Sequence, residues 1–515
     1  MSKNSTSKIH STSPDSYMIV FPFKQEQTGV GIPFDEKMLE TNAYVISKDI
    51  ISVSTNKGKG AIGSWSVTLG SSKNYKALLH AGCWVMIYIN DQQYNGDFKD
   101  GASINSGLKM VGMISSLRVI EQTTQDGTKS IRYELHGSDF QSFFQTTIYI
   151  NEILAPAASK ETGAIILFRY TDPQGIERHS FVSPDKFITT IFDAVIGRTA
   201  AQSAQISYAS AGMVGGGISM PPEVTKRLTG KKGTFISTLV QQIQPGLPGI
   251  TSPQPQLGQQ FTLWSLLKTY SHTLINEMYS DLIINDEILS PGFVMRSIPF
   301  SSKDKKPDDS CNSILDKSAE IQILTSKFIK EHEIMALNYG KSDTERFNFF
   351  IISSPVATTG GFSPSALFTA TNELKDIGDE NSIARYGLRP FISASEYCEG
   401  DVISSDNQLK RINSIVRDMW APSHLYENGQ AVLVGTHEHI PVGTNIEFED
   451  RGWIAHVEAV SHSYHAEASG HKSFFTTISF VRLQTKDGEP IDMVGSNRSA
   501  QREFDRGVTH SKGNK

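Results

Sequence analysis

Histidine is the chemically versatile residue most concentrated in one stretch. His437, His439, His456, His462, His465 and His471 are six of the fourteen in the chain. Imidazoles are common ligands of zinc and other borderline metals, and the His437-x-His439 spacing puts two of them on one face of a strand. Glu438 stands beside them, and His456 or His462 follows on the next strand. Geometry argues against a shared ion. His456 and His462 lie six residues apart on one extended run, about 20 Å at ~3.3 Å per residue. No H-E-x-x-H helix spacing occurs, so the group reads as side chains of long strands and turns, and no metal is expected.

Other patterns that could carry chemistry are weaker. Gly58, Gly60 and Gly63 spell G-x-G-x-x-G, but SWSVTLG follows as a strand, so no helix N-terminus is offered to a phosphate and a plain hairpin loop is expected. The triple glycine at 215–217 lacks that context as well. Glu277, Asp281, Asp286 and Glu287 are close in sequence, and a glycan hydrolase needs two carboxylates. Those of glycosidases usually flank the sugar from separate elements, so an acidic strip is the better reading. There is no G-x-S-x-G elbow, and Cys83, Cys311 and Cys398 form no C-x-x-C pair. No catalytic, cofactor-binding or metal-binding residue is therefore assigned.

The elements around these residues are mostly strands. From Tyr44 to about Tyr149, short β-branched and aromatic runs alternate with Gly, Asn and Asp turns, and Asp126-Gly127 marks a hairpin joining 115–122 to 130–136. Residues 184–195 have helical spacing, with Ser183 and Pro184 at the start. Residues 200–260 are rich in Gly, Pro and Gln and read as a connector. The run FTLWSLLKTYSHTLINEMYSDLIIN spaces Phe261, Trp264, Leu267, Leu274 and Met278 like one helix face, which predicts a long helix. Strands then return at PGFVMRSIPF, EIMALNYG, RFNFFIIS, GQAVLVGTHEHI, GWIAHVEAVSHSYHA and KSFFTTISFVRLQT. A helical segment, QLKRINSIVRDMWAPS, interrupts them.

At 515 residues the chain has material for about three domains. Its 38% hydrophobic and 20% charged residues are those of an ordinary folded protein. A net charge of −6 excludes a dedicated nucleic-acid binder held by basic charge. An odd cysteine count excludes a disulfide scaffold, and no apolar run approaches a membrane span. The Ser/Thr-rich start lacks the apolar core of a secretory signal, so no export signal is expected.

The order of these pieces resembles the central hub proteins of phage tail baseplates, a family that also resembles the base of type VI secretion spike proteins. The resemblance rests on KDIISVSTNKGKGAIGSWSVTLG with AGCWVMIYIND, MVGMISSLRVIEQ and YELHGSDF. It continues in NEMYSDLIIN and PGFVMRSIPF, with Asn276, Glu277, Asp281, Pro291, Arg296, Pro299 and Phe300. It closes in YGKSDTERFNFF, Gly443, the strand from Val457 to Tyr464, and Arg482. It implies a mainly β chain with α insertions (α+β) and two tail-tube-like β-barrel domains per chain. The expected division is a flexible arm at 1–18, a first tube-like domain at 19–165, a helical and linker region at 166–290, a second domain from 291–356 and 425–490, a helix-bearing insertion at 357–424, and a flexible tail at 491–515. It also implies a non-enzymatic homotrimer that adapts a sixfold tail tube to a threefold spike, with genomic DNA only in transit through its lumen. Implied partners are the tail tube protein, the central spike or tip protein, other baseplate proteins and a tape measure protein, with no stable membrane association. The location implied is the virion tail baseplate, assembled in the host cytoplasm. A tail-associated peptidoglycan hydrolase or a receptor-binding tip protein is the alternative.

Overall fold

The computed structural model describes residues 14–22, 43–90, 107–149 (apart from 124–126, 128 and 146), 169–171, 177–179, 184–191, 222–229, 239–245, 260–298 (apart from 272, 286 and 287), 325–353, 378–394 and 416–491 (apart from 468, 487 and 489). The fold is mostly antiparallel β sheet with few helices.

The first half contributes β1 (Asp15–Phe21), β2 (Tyr44–Ile46), β3 (Ile50–Gly58), β4 (Ser64–Leu69), β5 (Trp84–Asn90), β6 (Leu108–Thr123) and β7 (Lys129–Asp139). Three short strands follow: β8 (Thr147–Tyr149), β9 (Arg169–Thr171) and β10 (Glu177–His179). Next come β11 (Val240–Ile243), β12 (Gln260–Thr262), β13 (Asn276–Asn285) and β14 (Ile288–Ser297). The second half holds β15 (Thr325–Ile329), β16 (Ile334–Gly340), β17 (Phe349–Ser353), β18 (Pro390–Ala394), β19 (Glu427–Val434), β20 (Asn445–Phe448), β21 (Trp453–Ala466) and β22 (Lys472–Thr485). Among the described strands, one sheet runs β16-β19-β22-β21-β3-β4-β7-β6-β5-β1-β2, with β20 on β21 and β15 on β20. This path is open at both ends, so the two halves meet as one continuous sheet.

The halves repeat each other. In chain order β1, β3, β4, β5, β6 and β7 take the lateral order β3-β4-β7-β6-β5-β1. In the same chain order β15, β16, β19, β20, β21 and β22 take the order β16-β19-β22-β21-β20-β15. Irregularities repeat too. A register shift separates Ile50 from Ser52 in β3 and Ile334 from Ala336 in β16. Another separates Ile114 from Ser116 in β6 and Val457 from Ala459 in β21. Bulges sit at specific places in a ladder, so coincident bulges in coincident strands mark a duplicated architecture. One pair departs from it: β1 lies antiparallel to β5, whereas β15 lies parallel to β20.

Burial explains the local sequence patterns. In β1, Tyr17, Ile19 and Phe21 enter one core while Met18 and Val20 enter another. In β5, Trp84, Met86 and Tyr88 join the first core and Val85, Ile87 and Ile89 the second. Strands covered on both faces read as unbroken apolar runs, as YMIVF and WVMIYI do. β1 also corrects the arm expected at 1–18. Residues 15–18 are paired along β5, and 16–18 are buried, because the apolar run begins at Tyr17 and the ladder extends to Asp15.

The long helix expected over 261–285 is also corrected. Helix occupies only Leu263–Tyr270, where the Thr262 hydroxyl accepts a hydrogen bond from the Ser265 N–H at 3.0 Å. From Asn276 the chain is β13, paired along its whole length with β14. Met278 and Leu282 point into the first core, and Tyr279 and Ile283 into the core of the second half. A strand buried on both faces imitates helical spacing when only its apolar positions are counted. The β13–β14 hairpin also spans the expected boundary at 290/291. Pro291 is tolerated in β14 because β11 pairs only with the stretch from Gly292 onward.

Candidate functional site

The hairpin β13–β14 is wedged beneath the seam where β21 of one half pairs with β3 of the other. Alternation places Glu277, Tyr279, Asp281 and Ile283 on the face toward the second half. All four are buried. Glu277 and Asp281 therefore share a face as residues of a strand.

Charges converge on Glu277 from three elements. Arg296 Nε of β14 donates to its Oε1 at 2.5 Å, and Lys59 Nζ, from the β3–β4 loop, donates to its Oε2 at 3.0 Å. His456 Nε2 of β21 lies 3.6 Å from the same oxygen. Lys59 also pairs with Glu458, and Arg296 also donates to the Gly443 carbonyl. Asp281 accepts from the Val442 N–H at 2.8 Å, with His439 Nε2 3.4 Å away. In the first half, Lys57 bridges Asp139 and Gln141. Lys109 of β6 donates to the Thr436 and Glu438 carbonyls at 2.6 and 2.5 Å, tying the halves together again.

The electrostatics follow from burial against these partners. Burial opposes the charge on Glu277, but Lys59, His456 and Arg296 outweigh it and hold the carboxyl well below its usual range. For Asp281, burial is likewise overcome, chiefly by His439, and the group is lowered. At Asp139 burial exceeds the pull of Lys57 and raises it. Burial lowers His456 and drives His462 well below its normal value, the latter helped by Lys109. Lys59 is raised, because Glu277 and Glu458 outweigh its desolvation. Several buried charges neutralised this way contribute little net stability, because desolvation offsets most of the attraction. What such a network does well is fix which group sits against which, here the seating of the wedge under the seam.

The sequence's candidates are thus redistributed. His437, His465 and His471 are exposed, while His456 and His462 are buried in the network, each with an Nδ1 partner: Asn445 and Thr476. Among the described residues no group of three His, Cys, Asp or Glu side chains is placed to hold a metal ion. The Gly58–Gly63 segment ends β3 and turns into β4, a hairpin loop whose chemistry is Lys59. Asp286, Glu287 and the glycines at 215–217 lie outside the described residues. Four residues quoted for the resemblance, Glu277, Asp281, Arg296 and Gly443, meet at the wedge. Gly443 has φ +73°, and a Cβ there would stand 2.4 Å from the Tyr279 ring, so no other residue fits. Pro299 and Phe300 lie outside the described residues. The lysines Lys57, Lys59 and Lys109 were missed from sequence, since nothing local tells a buried lysine from a surface one.

The opposite face of the seam is unlike an ordinary exposed sheet. Across the ladder, Thr477, Ser461, Asn56, Ser64 and Ser138 are successive partners. The next row is Phe475, Ser463, Ser54, Ser66, His136 and Ser116. These positions are exposed or half-buried and carry no lysine, arginine, aspartate or glutamate, whereas the row beyond, His465, Ser52, Thr68, Glu134 and Arg118, does carry charge. Exposed sheet faces are normally dotted with such charges.

No family model matches the sequence, and no curated protein does either. Solved structures do. A 43 kDa tail protein of prophage MuSo2 from Shewanella oneidensis is similar at TM-score 0.42 and 12% identity, over 90% of this chain and 98% of that one. A tail protein from Neisseria meningitidis gives TM-score 0.40 and 9% identity over 90% and 96%. An E. coli type VI secretion component, itself described as similar to the T4 tail proteins gp27 and gp5, gives 0.39 and 8% over 86% and 75%. The solved structures it resembles are thus phage and prophage tail proteins and type VI secretion proteins.

Proposed function

We propose that this chain is a structural hub of a phage tail or related injection machine, three copies of which form a ring between a sixfold tube and a threefold spike. The observation that carries the reading is the duplicated six-strand topology. Three subunits with two equivalent β units each offer six similar positions around a threefold axis, and closed cyclic symmetry stops growth at the ring. The two uncharged, mostly hydroxyl-bearing rows on that face support a passage for DNA. Rows without cations do not trap phosphates, and rows without carboxylates do not repel them. The carboxylates weighed for a hydrolase, Glu277 and Asp281, are buried and committed to structural partners, which favours a non-enzymatic role. The partners that follow are a tube protein, a spike or tip protein, other baseplate proteins and a tape measure protein, in the tail of a virion assembled in the host cytoplasm. Analytical ultracentrifugation of the full chain over rising concentration tests the reading. A three-copy species supports it, and clearing of cell walls on a zymogram would turn it toward a hydrolase.

A further inference from the structure

The internal seam shows how one repeat docks on another, and among the described residues the counterparts of its two edges, the C-terminal half of β6 and the outer edge of β16, carry no partner strand. Within the chain, β21 of the second repeat uses its N-terminal half to pair with β20 and its C-terminal half, Ala459 to His465, to pair with β3 of the first repeat. The equivalent strand in the first repeat is β6. Its N-terminal half pairs with β5 up to Met113, and among the described residues no strand continues that edge along Ser116–Thr123. The equivalent of β3 in the second repeat is β16. It pairs with β19 on one side and is the terminal strand of the described sheet on the other.

We propose that β6 of one subunit pairs antiparallel with β16 of the next, repeating between chains the β21–β3 junction found within the chain. The occupant of each edge is a second copy, and the proposal rests on the ring reading above. Its register follows from the shared bulges. Matching Ser116 to Ala459 and Ile50 to Ile334 puts Arg118, Ile120 and Gln122 where Ser461, Ser463 and His465 stand. It puts Gly340, Asn338 and Ala336 where Asn56, Ser54 and Ser52 stand. The known pairs Ser461–Asn56, Ser463–Ser54 and His465–Ser52 then become Arg118–Gly340, Ile120–Asn338 and Gln122–Ala336 between subunits.

Surface chemistry at the two edges agrees. Val119 is 37% exposed, and the register sets it opposite Tyr339, where the internal seam buries His462 against Thr55. Arg118, Gln122, Ala336 and Asn338 are exposed. Long strand edges with exposed apolar side chains invite pairing with another chain, and natural proteins rarely leave them open. The contact is heterologous, one edge type meeting the other, so it closes a ring only at the copy number the rotation permits.

Cysteine pairing tests the register. The full chain carrying Ile120→Cys and Asn338→Cys is prepared with Cys311→Ser and Cys398→Ser, Cys83 being buried. It is compared with a mismatched pair, Ile120→Cys with Ala336→Cys, under mild oxidation. Thermal melting checks that both variants are folded. The expected result is a reducible species of three chains, formed at least tenfold faster by the matched pair. A three-copy ring by ultracentrifugation without faster cross-linking of the matched pair overturns the edge pairing and leaves the ring standing. A chain monomeric at every concentration overturns both.

Discussion

At residue scale the account turns on buried groups held in one protonation state. Glu277 and Asp281 have folded-state values below their unfolded ones, so their stabilisation is complete above about pH 4.5 and is lost as pH falls through the acid range. His456 and His462 are lowered too. The unfolded chain therefore binds more protons than the folded one below about pH 6.5, and stability falls as the solution is acidified from there. Asp139 is raised and works in the opposite sense, losing stability as pH rises. The net expectation is a decline in denaturation midpoint that begins between pH 6.5 and 5 and steepens below 4.5. A variant with His462→Gln should flatten the first part and leave the second, which replacing His456 would disturb through Glu277; an unchanged slope between pH 6.5 and 5 would show that His462 is not a titrating group. Replacing Arg296 by Met removes one of the partners of Glu277 and the donor to the Gly443 carbonyl. Breaking a buried pair from one side costs about 3–5 kcal/mol, which urea titration would register as a lowered midpoint. A loss below 1 kcal/mol, roughly the value of an exposed pair, would mean that the wedge is not seated by this contact.

At the scale of elements, strands were readable from sequence wherever one face met water. The hairpin through Gly127 and the long pair that became β21 and β22 alternate plainly, and Trp453–Ala466 and Lys472–Thr485 are each 14 residues long. Legibility failed where both faces are buried. β13 passed for helix because Met278 and Leu282 serve one core and Tyr279 and Ile283 another, leaving no polar face to betray a period of two. β1 was partly assigned to a mobile arm because its ladder starts in polar residues, Asp15 and Ser16, whose partners are remote: Lys472 at 2.8 Å and the Tyr88 carbonyl at 2.9 Å. The wedge site was only half legible for the same reason. Glu277, Asp281 and Arg296 were noted, but Lys59 and His456 reach them from positions far along the chain. Truncation tests the boundary now drawn. Removing residues 1–13 should leave the melting temperature within a degree or two, whereas removing 1–21 deletes β1 and strips cover from Trp84, Met86 and Tyr88, so insoluble or molten protein is expected. A cooperative transition unchanged by the longer deletion would contradict the role given to β1.

At the scale of the whole molecule, the repeat is an architectural fact that the sequence conceals, since equivalent strands such as β6 and β21 share bulge position without sharing residues. Two sets of six strands with one lateral order, joined edge to edge, form a module with a polarity, the kind of unit the proposed ring requires. The two charge-free rows make their own prediction. Ser54→Lys with Ser463→Lys adds two cations at positions paired across the seam. The wild-type protein should show no salt-dependent retention of double-stranded DNA and the variant should, read as gel mobility across a salt series. Retention by the wild type, or none by the variant, would detach this face from the passage. The most direct measurement of the central claim is the rotational symmetry of the assembled protein by negative-stain electron microscopy. The account predicts a ring of three subunits whose projection carries a strong sixfold component from six alike β units with a weaker threefold one; a monomer, a twofold particle, or a threefold particle without the sixfold component would contradict it.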